Sequence, residues 1–272
     1  MQRATVDGVE LAFELHGDGD PVVLIHWGIG TGWAAPLLRS PALGGYRLLA
    51  YDRAGFGASD RPPEPVGIVA HASHCAALLH HLGIERAHVV GHSSSAMVAL
   101  QLALDDPGVV GSLALLESAR PAPDTPVQAA FVRDFVAPAM ARYRAGDVEG
   151  ALETFLEGVG GPGGRDALER ALPEAFAAAV ADASAFFEAE LPEVQTWPFS
   201  SDDAARVTQP ALLVLGSESV ATFRERRDLL LAWLPNAEPF DLPGASHLLL
   251  HVEPPDALAE ALADFFGRRP LD

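Results

Sequence analysis

The residues best suited to chemistry lie in His88-Val89-Val90-Gly91-His92-Ser93-Ser94-Ser95-Ala96. A short β-branched run enters a sharp turn there, and a small-residue helix leaves it. Such a layout holds a serine hydroxyl proud of a strand-to-helix turn. A serine alone is a weak nucleophile; beside a histidine base it attacks a carbonyl carbon. Ser93 is the candidate, because it alone of the three serines has a glycine two residues before it. The usual Gly-x-Ser-x-Gly pattern is incomplete: Ser95 stands where its second glycine belongs. A Cβ at that position is expected to push the helix slightly off the strand. The competing reading is three serines capping an ordinary helix.

Acyl transfer by serine needs three further parts: a base, an acid that orients the base, and N–H donors for the oxyanion. The candidate base is His247, in Leu242-Pro243-Gly244-Ala245-Ser246-His247, expected in the loop between the last strand and the last helix. Without its partners it would be a solvated loop residue. The Ser94 N–H, at the start of the small-residue helix, is one candidate oxyanion donor. The second is expected from the loop after the Pro21–His26 run. Gly28 is preferred there, since glycine permits close backbone approach to a substrate carbonyl, and Trp27 is the alternative. The competing reading of this loop is a flexible glycine turn.

The elements that must position these groups alternate along the chain. Strand patterns fall at Val9–Leu15, Pro21–His26, Tyr46–Tyr51, the run before Ser93, Gly111–Leu116, Pro210–Gly216 and Glu238–Leu242. Helical patterns lie between them, at about Val66–Leu82, from Ser93 to Leu104, at Phe223–Trp233 and at Pro255–Phe266. Continuous apolar strands separated by helices indicate a mostly parallel sheet covered on both faces. Residues 121–206 break the rhythm: they are rich in alanine and glutamate, with helical spacing and a glycine break at Gly158–Gly164. The expected organisation is an α/β core of residues 1–120 and 207–272, with 121–206 as a helical insertion.

Composition narrows the function further. The net charge of −19 disfavours phosphate backbones and anionic lipid as partners. All 18 basic residues are arginine. Schiff-base, P-loop and serine–lysine chemistry therefore lack their lysine. No apolar run is long enough to span a membrane. The N-terminal Met1–Gly8 lacks a basic-then-apolar signal pattern, and the single Cys75 excludes an internal disulfide. The expectation is a cytoplasmic protein, monomer or homodimer, acting on a small molecule.

Four segments carry a family resemblance: His26-Trp27-Gly28, Asp52-Arg53-Ala54-Gly55-Phe56-Gly57-Ala58-Ser59, Gly91-His92-Ser93-Ser94-Ser95 and Gly244-Ala245-Ser246-His247. In this order the chain resembles an α/β-hydrolase with a helical cap. The resemblance implies an eight-stranded, mostly parallel sheet flanked by helices, serine hydrolase chemistry on a carboxylic ester or lactone, and no metal or organic cofactor. It also places an aspartate three residues after the glycine ending the late strand. Here that position is Ser219, in Gly216-Ser217-Glu218-Ser219. A hydroxyl cannot stabilise imidazolium as a carboxylate does. Glu218 is one residue off register, and adjacent side chains on an extended segment diverge. Glu117, at the end of Gly111–Leu116, is preferred, as in lactone hydrolases of the zearalenone-degrading type, whose pattern is Ser-Glu-His. Otherwise Glu117 would be a surface carboxylate before the proline-rich Ala119–Pro123, and Glu218 a solvated one.

Within that fold an elbow serine argues against dehalogenase and epoxide hydrolase chemistry. It leaves open carbon–carbon bond hydrolysis, perhydrolysis, acyl transfer, and a degenerate hydrolase acting as a ligand receptor. Trp27 and Trp197 are expected on the substrate wall, among the aromatics Phe131, Phe135, Tyr143, Phe155, Phe176, Phe186 and Phe187 of the insertion. His71 and His74 share a helix face, yet no third ligand follows at metal-binding spacing. With His80 and His81 they are expected to be solvated or capping histidines. Asp52 and Arg53 are expected to organise their loop, and His92 to pack under the elbow. His251 lies too near the last helix to displace His247.

Overall fold

Strands read as near-continuous apolar runs when both of their faces are buried. In the computed structural model, which describes residues 1–119, 125–249 and 256–271, such runs form the middle of one sheet. The strands are β1 (Gln2–Val6), β2 (Val9–His16), β3 (Asp20–Ile25), β4 (Tyr46–Tyr51), β5 (Ala87–His92), β6 (Val110–Leu116), β7 (Ala211–Gly216) and β8 (Ala237–Leu242). Their spatial order is β1-β2-β4-β3-β5-β6-β7-β8. The pairings β1–β2 and β2–β4 are antiparallel and all others parallel.

Alternation along the strands divides the core in two. Val22, Leu24, Val90, Ala114, Leu116, Leu212 and Val214 join one apolar cluster, with helix α4 (Ala257–Gly267) and much of the segment between β6 and β7. Val23, Ile25, Val89, Leu113, Leu115 and Leu213 join the other, with helices α1 (Ile68–His81) and α2 (Ser94–Asp105). Helix α3 (Ala221–Trp233) gives Phe223 to the first cluster and Leu230 to the second.

Between β6 and β7 the described residues form helices and no strand. Two turns of this insertion, Val132–Val136 and Ala185–Glu190, are π-helical. A π-turn inserts one extra residue and re-aims the side chains around it. The glycine break falls after the helix Val148–Gly160, where Gly161 and Gly163 adopt φ of 80° and 79°. The strand β1 is an addition to the sequence expectation. It pairs with β2 through a two-residue turn in which Asp7 and Gly8 both have positive φ, 51° and 81°. Helix α1 begins at Ile68, two residues later than expected, with Gly67 at its N-cap. The linker 120–124, residue 255 at the expected start of the last helix, and His251 lie outside the described residues.

Candidate active site

The turn at Ser93 exists because Gly91 has no side chain. A Cβ there would overlap the Ser95 carbonyl and the Ala96 nitrogen. Ser93 itself adopts φ 56° and ψ −119°, a conformation that costs a non-glycine residue about 1–3 kcal/mol. Two hydrogen bonds to the end of β6 hold it there: Ser93 N–H donates to the Leu116 carbonyl (2.8 Å), and Ala119 N–H to the Ser93 carbonyl (3.1 Å). Ser95 has a bonding role of its own. It is fully buried, and its hydroxyl donates to the His26 carbonyl at 2.5 Å, tying the start of α2 to the loop after β3.

Glu117 follows β6, the strand beside β5, and is the second non-glycine residue held at positive φ (50°) at this end of the sheet. It is 1% exposed, so the surface-carboxylate alternative does not hold, whereas Glu218 is exposed. His247, wholly buried in the loop after β8, stands between the two. Its Nε2 lies 3.0 Å from Ser93 Oγ, and its Nδ1 lies 3.3 Å from Glu117 Oε2. The other carboxylate oxygen, Oε1, accepts from Gly216 N–H and from the Ser219 hydroxyl, both at 2.5 Å. Ser219, the position where the resemblance places an aspartate, thus hydrogen-bonds the carboxylate that comes in from β6.

Neighbouring rings fix the imidazole. Phe223 of α3 stacks on it with centroids 3.9 Å apart, and Trp27 meets it edge-on at 5.7 Å. His92, under the elbow as expected, donates from Nε2 to the His247 carbonyl at 2.8 Å. Burial pulls the His247 pKa down to about 3, with the Arg226 charge adding to the effect. Burial also pushes Glu117 up to about 7, against the pull of its bonds from Ser219 and Gly216. The resulting resting pair is a neutral imidazole, its Nε2 lone pair toward the serine hydroxyl, backed by a carboxylate that ionises near neutral pH.

The two candidate oxyanion donors border the same cavity as Ser93. Ser94 N–H is among the first amides of α2, which lack intrahelical acceptors and sit at the positive end of the helix dipole. Gly28 N–H shares a peptide unit with the Trp27 carbonyl. Arg53 N–H donates to His26 Nε2 (3.0 Å), so His26 carries its proton on Nδ1 and donates it to that carbonyl (2.7 Å). A trans peptide sets C=O and N–H antiparallel, so the Gly28 N–H points away from His26. Burial and the Arg53 charge hold His26 well below the usual imidazole pKa, preserving this tautomer.

The cavity over Ser93 is small, about 30 Å³. Its walls are Trp27, Ala119, Phe131, Val136, Phe155, Val159, Phe186, Leu191, Val194 and Phe223, with Gln195 and Arg226 as polar members. Occupied ligand sites span about 300–1,000 Å³, so a substrate must displace some of these side chains. Trp27, Phe131, Phe155 and Phe186 lie where aromatics were expected. Trp197 does not: its indole N–H donates to Gln101 Oε1 (2.9 Å), and its ring stacks on Phe199 in the cluster on the other face of the sheet. An aromatic's partner cannot be read from spacing when that partner lies 96 residues away.

His71 and His74 are also corrected. They are 2% and 8% exposed on α1, packed rather than solvated, while His80 and His81 are exposed. No cluster of three metal-ligating side chains occurs among the described residues. Asp52 does organise its loop, accepting from Ala58 N–H at 2.8 Å. Arg53 reaches further, to Glu190 of the insertion at 2.6 Å. Arg226 and the pair Arg53–Glu190 were not anticipated. The first sits mid-helix without a motif, and the second joins residues 137 apart. Among the described residues no helix is long and apolar enough to cross a membrane.

Comparison with known proteins agrees with this fold. A family profile described as "Alpha/beta hydrolase family" matches residues 22–261. A putative carbamate hydrolase, RutD, of Azorhizobium caulinodans is 35% identical over 117 residues, 43% of this chain and 44% of that protein. The chain thus spans less than half the length of such curated relatives. Among solved structures, Est816, titled an N-acyl homoserine lactone degrading enzyme, superposes with a TM-score of 0.76 at 26% identity, over 97% of this chain and 100% of that one. An esterase of Thermogutta terrifontis superposes with a TM-score of 0.83 over 100% of both chains; at 21% identity it speaks to the fold alone. The match from within β3 through β8, including the loops that carry Gly28 and His247, places this chain in the alpha/beta hydrolase family.

Proposed function

We propose that the protein is a serine hydrolase of carboxylic esters or lactones, working through an acyl-enzyme on Ser93. The observation that carries this reading is the relay Glu117–His247–Ser93, whose serine borders an apolar cavity together with Gly28 and Ser94. His247 Nε2 takes the Ser93 proton as Oγ bonds to the substrate carbonyl carbon. The N–H groups of Ser94 and Gly28 receive the oxyanion. As the tetrahedral intermediate collapses, the C–O bond to the leaving alcohol breaks and His247 Nε2–H protonates that alcohol. Water, deprotonated by His247, then attacks the acyl carbon, and Ser93 leaves with the returned proton. Glu117 holds Nδ1–H and balances the imidazolium charge.

The Ser-Glu-His order, the 26% identity to a protein titled a lactone-degrading enzyme, and the apolar walls all support an uncharged ester or lactone. In this reading residues 121–206 are the cap that shapes the acyl and alcohol pockets. The test is turnover of a panel: p-nitrophenyl esters of rising chain length, simple and N-acyl homoserine lactones, an aryl carbamate, and a carbon–carbon hydrolase substrate. Hydrolysis of esters or lactones, lost in Ser93→Ala, is expected. Turnover confined to the carbamate or to the carbon–carbon substrate contradicts the assignment.

A further inference from the structure

Glu190 and Arg53 form an ion pair with side chains 1% and 0% exposed, 2.6 Å apart. Neither residue borders the cavity over Ser93. Desolvation offsets most of what such a pair gains in attraction, so its main product is a fixed geometry rather than stability. Two contacts lead from that geometry to the oxyanion loop. Through the main chain, Arg53 N–H holds His26 Nε2, and His26 Nδ1–H holds the Trp27 carbonyl. Through packing, Glu190 lies directly on Gly28: a Cβ added there would overlap Glu190 Oε1 and Phe186. Phe186 and Glu190 are four residues apart on the π-turn Ala185–Glu190, so one re-aimed turn brings both onto this glycine. Glu190 Oε1 has no hydrogen-bond partner among the described residues, and Gly28 lies against it.

We propose that Glu190 is a positioning residue for the Gly28 N–H: paired with Arg53, it clamps the Trp27–Gly28 peptide from the insertion side while His26 holds it from the core side. Seating of the insertion and aim of the oxyanion donor are thereby coupled. The proposal rests on the serine hydrolase reading. A donor aimed at an oxyanion acts on charge that develops only in the transition state, so misaiming it lowers kcat and leaves KM nearly unchanged.

The test uses the full chain and two variants. Glu190→Gln keeps the volume and removes the charge. Because that leaves Arg53 buried with its charge uncompensated, the double variant Arg53→Met/Glu190→Ala removes both charges and retains the Arg53 main-chain N–H. Three readouts are taken: kcat and KM on p-nitrophenyl acetate, affinity for an aryl trifluoromethyl ketone, and the Gly28 amide resonance. In both variants kcat is expected to fall by about 10-fold or more, short of the 10²–10³ of losing a donor outright. Ketone affinity should fall in step with kcat/KM, and the Gly28 resonance should shift. A folded double variant with wild-type kcat and an unmoved Gly28 resonance overturns the proposal, because the pair would then be structural only. If wild-type Ser93 fails to react with a fluorophosphonate, the hydrolase reading falls; the Gly28 resonance still decides whether Glu190 clamps the loop.

Discussion

Replacing His247 by alanine is expected to lower kcat on p-nitrophenyl acetate by about 10⁶-fold, with KM little changed. Its Nε2 is the ring nitrogen that contacts Ser93 Oγ among the described residues, at 3.0 Å. His92 cannot substitute, although its ring centroid is only 5.1 Å from that of His247. The Nε2–H of His92 is committed to the His247 carbonyl, and burial takes its pKa down to about 3. The loss should also be non-additive. Nucleophile and base act as one unit, so Ser93→Ala/His247→Ala is expected to be no slower than either single variant. A double variant slower by the product of the two effects would mean that the residues act in separate steps. Steady-state turnover with active-site titration measures both.

Glu117→Gln is expected to lower kcat by about 10⁴-fold, because an amide in this place leaves the imidazole in the wrong tautomer and its charged form unsupported. Glu218→Ala, at an exposed position, is expected to leave kcat unchanged. The pH profile carries the same information with a definite sign. Glu117 must be ionised for this role and burial pushes it up to about 7, so kcat/KM of the wild type is expected to fall below about pH 7 as the carboxylate protonates. His247 is already neutral well below that pH. Ser219→Ala removes a donor that favours the ionised carboxylate, so the limb moves to higher pH. A limb that stays in place in Ser219→Ala assigns the titration to another group.

What the sequence shows of this architecture follows from range of interaction. The turn at Ser93 is local: a β-branched strand, a glycine, and small residues entering a helix suffice to place it. Short apolar runs between helical patterns make β2 to β8 legible for the same reason. The strand β1 is as local, announced by Asp7-Gly8, whose two positive φ values make a hairpin turn, yet five mostly exposed residues offer little apolar pattern. The meeting of Glu117 with His247 spans 130 residues, and only the order of strands β6, β7 and β8 brings them together. The role of Ser219 was hidden in its apparent defect, since a serine in an acid's place shows its value only once the carboxylate arrives from β6. Trp197 packs away from the expected wall and Arg53 pairs with Glu190 without a local signal, because neither an indole nor an ion pair declares its partner in sequence.

Labelling the native protein with a fluorophosphonate, followed by peptide mass spectrometry, tests the central claim that Ser93 is an activated nucleophile. One adduct per chain is expected, on the peptide carrying Ser93, absent from Ser93→Ala and strongly slowed in His247→Ala. An unlabelled but folded wild type, or an adduct on Ser94, Ser95 or any residue outside this turn, would contradict it.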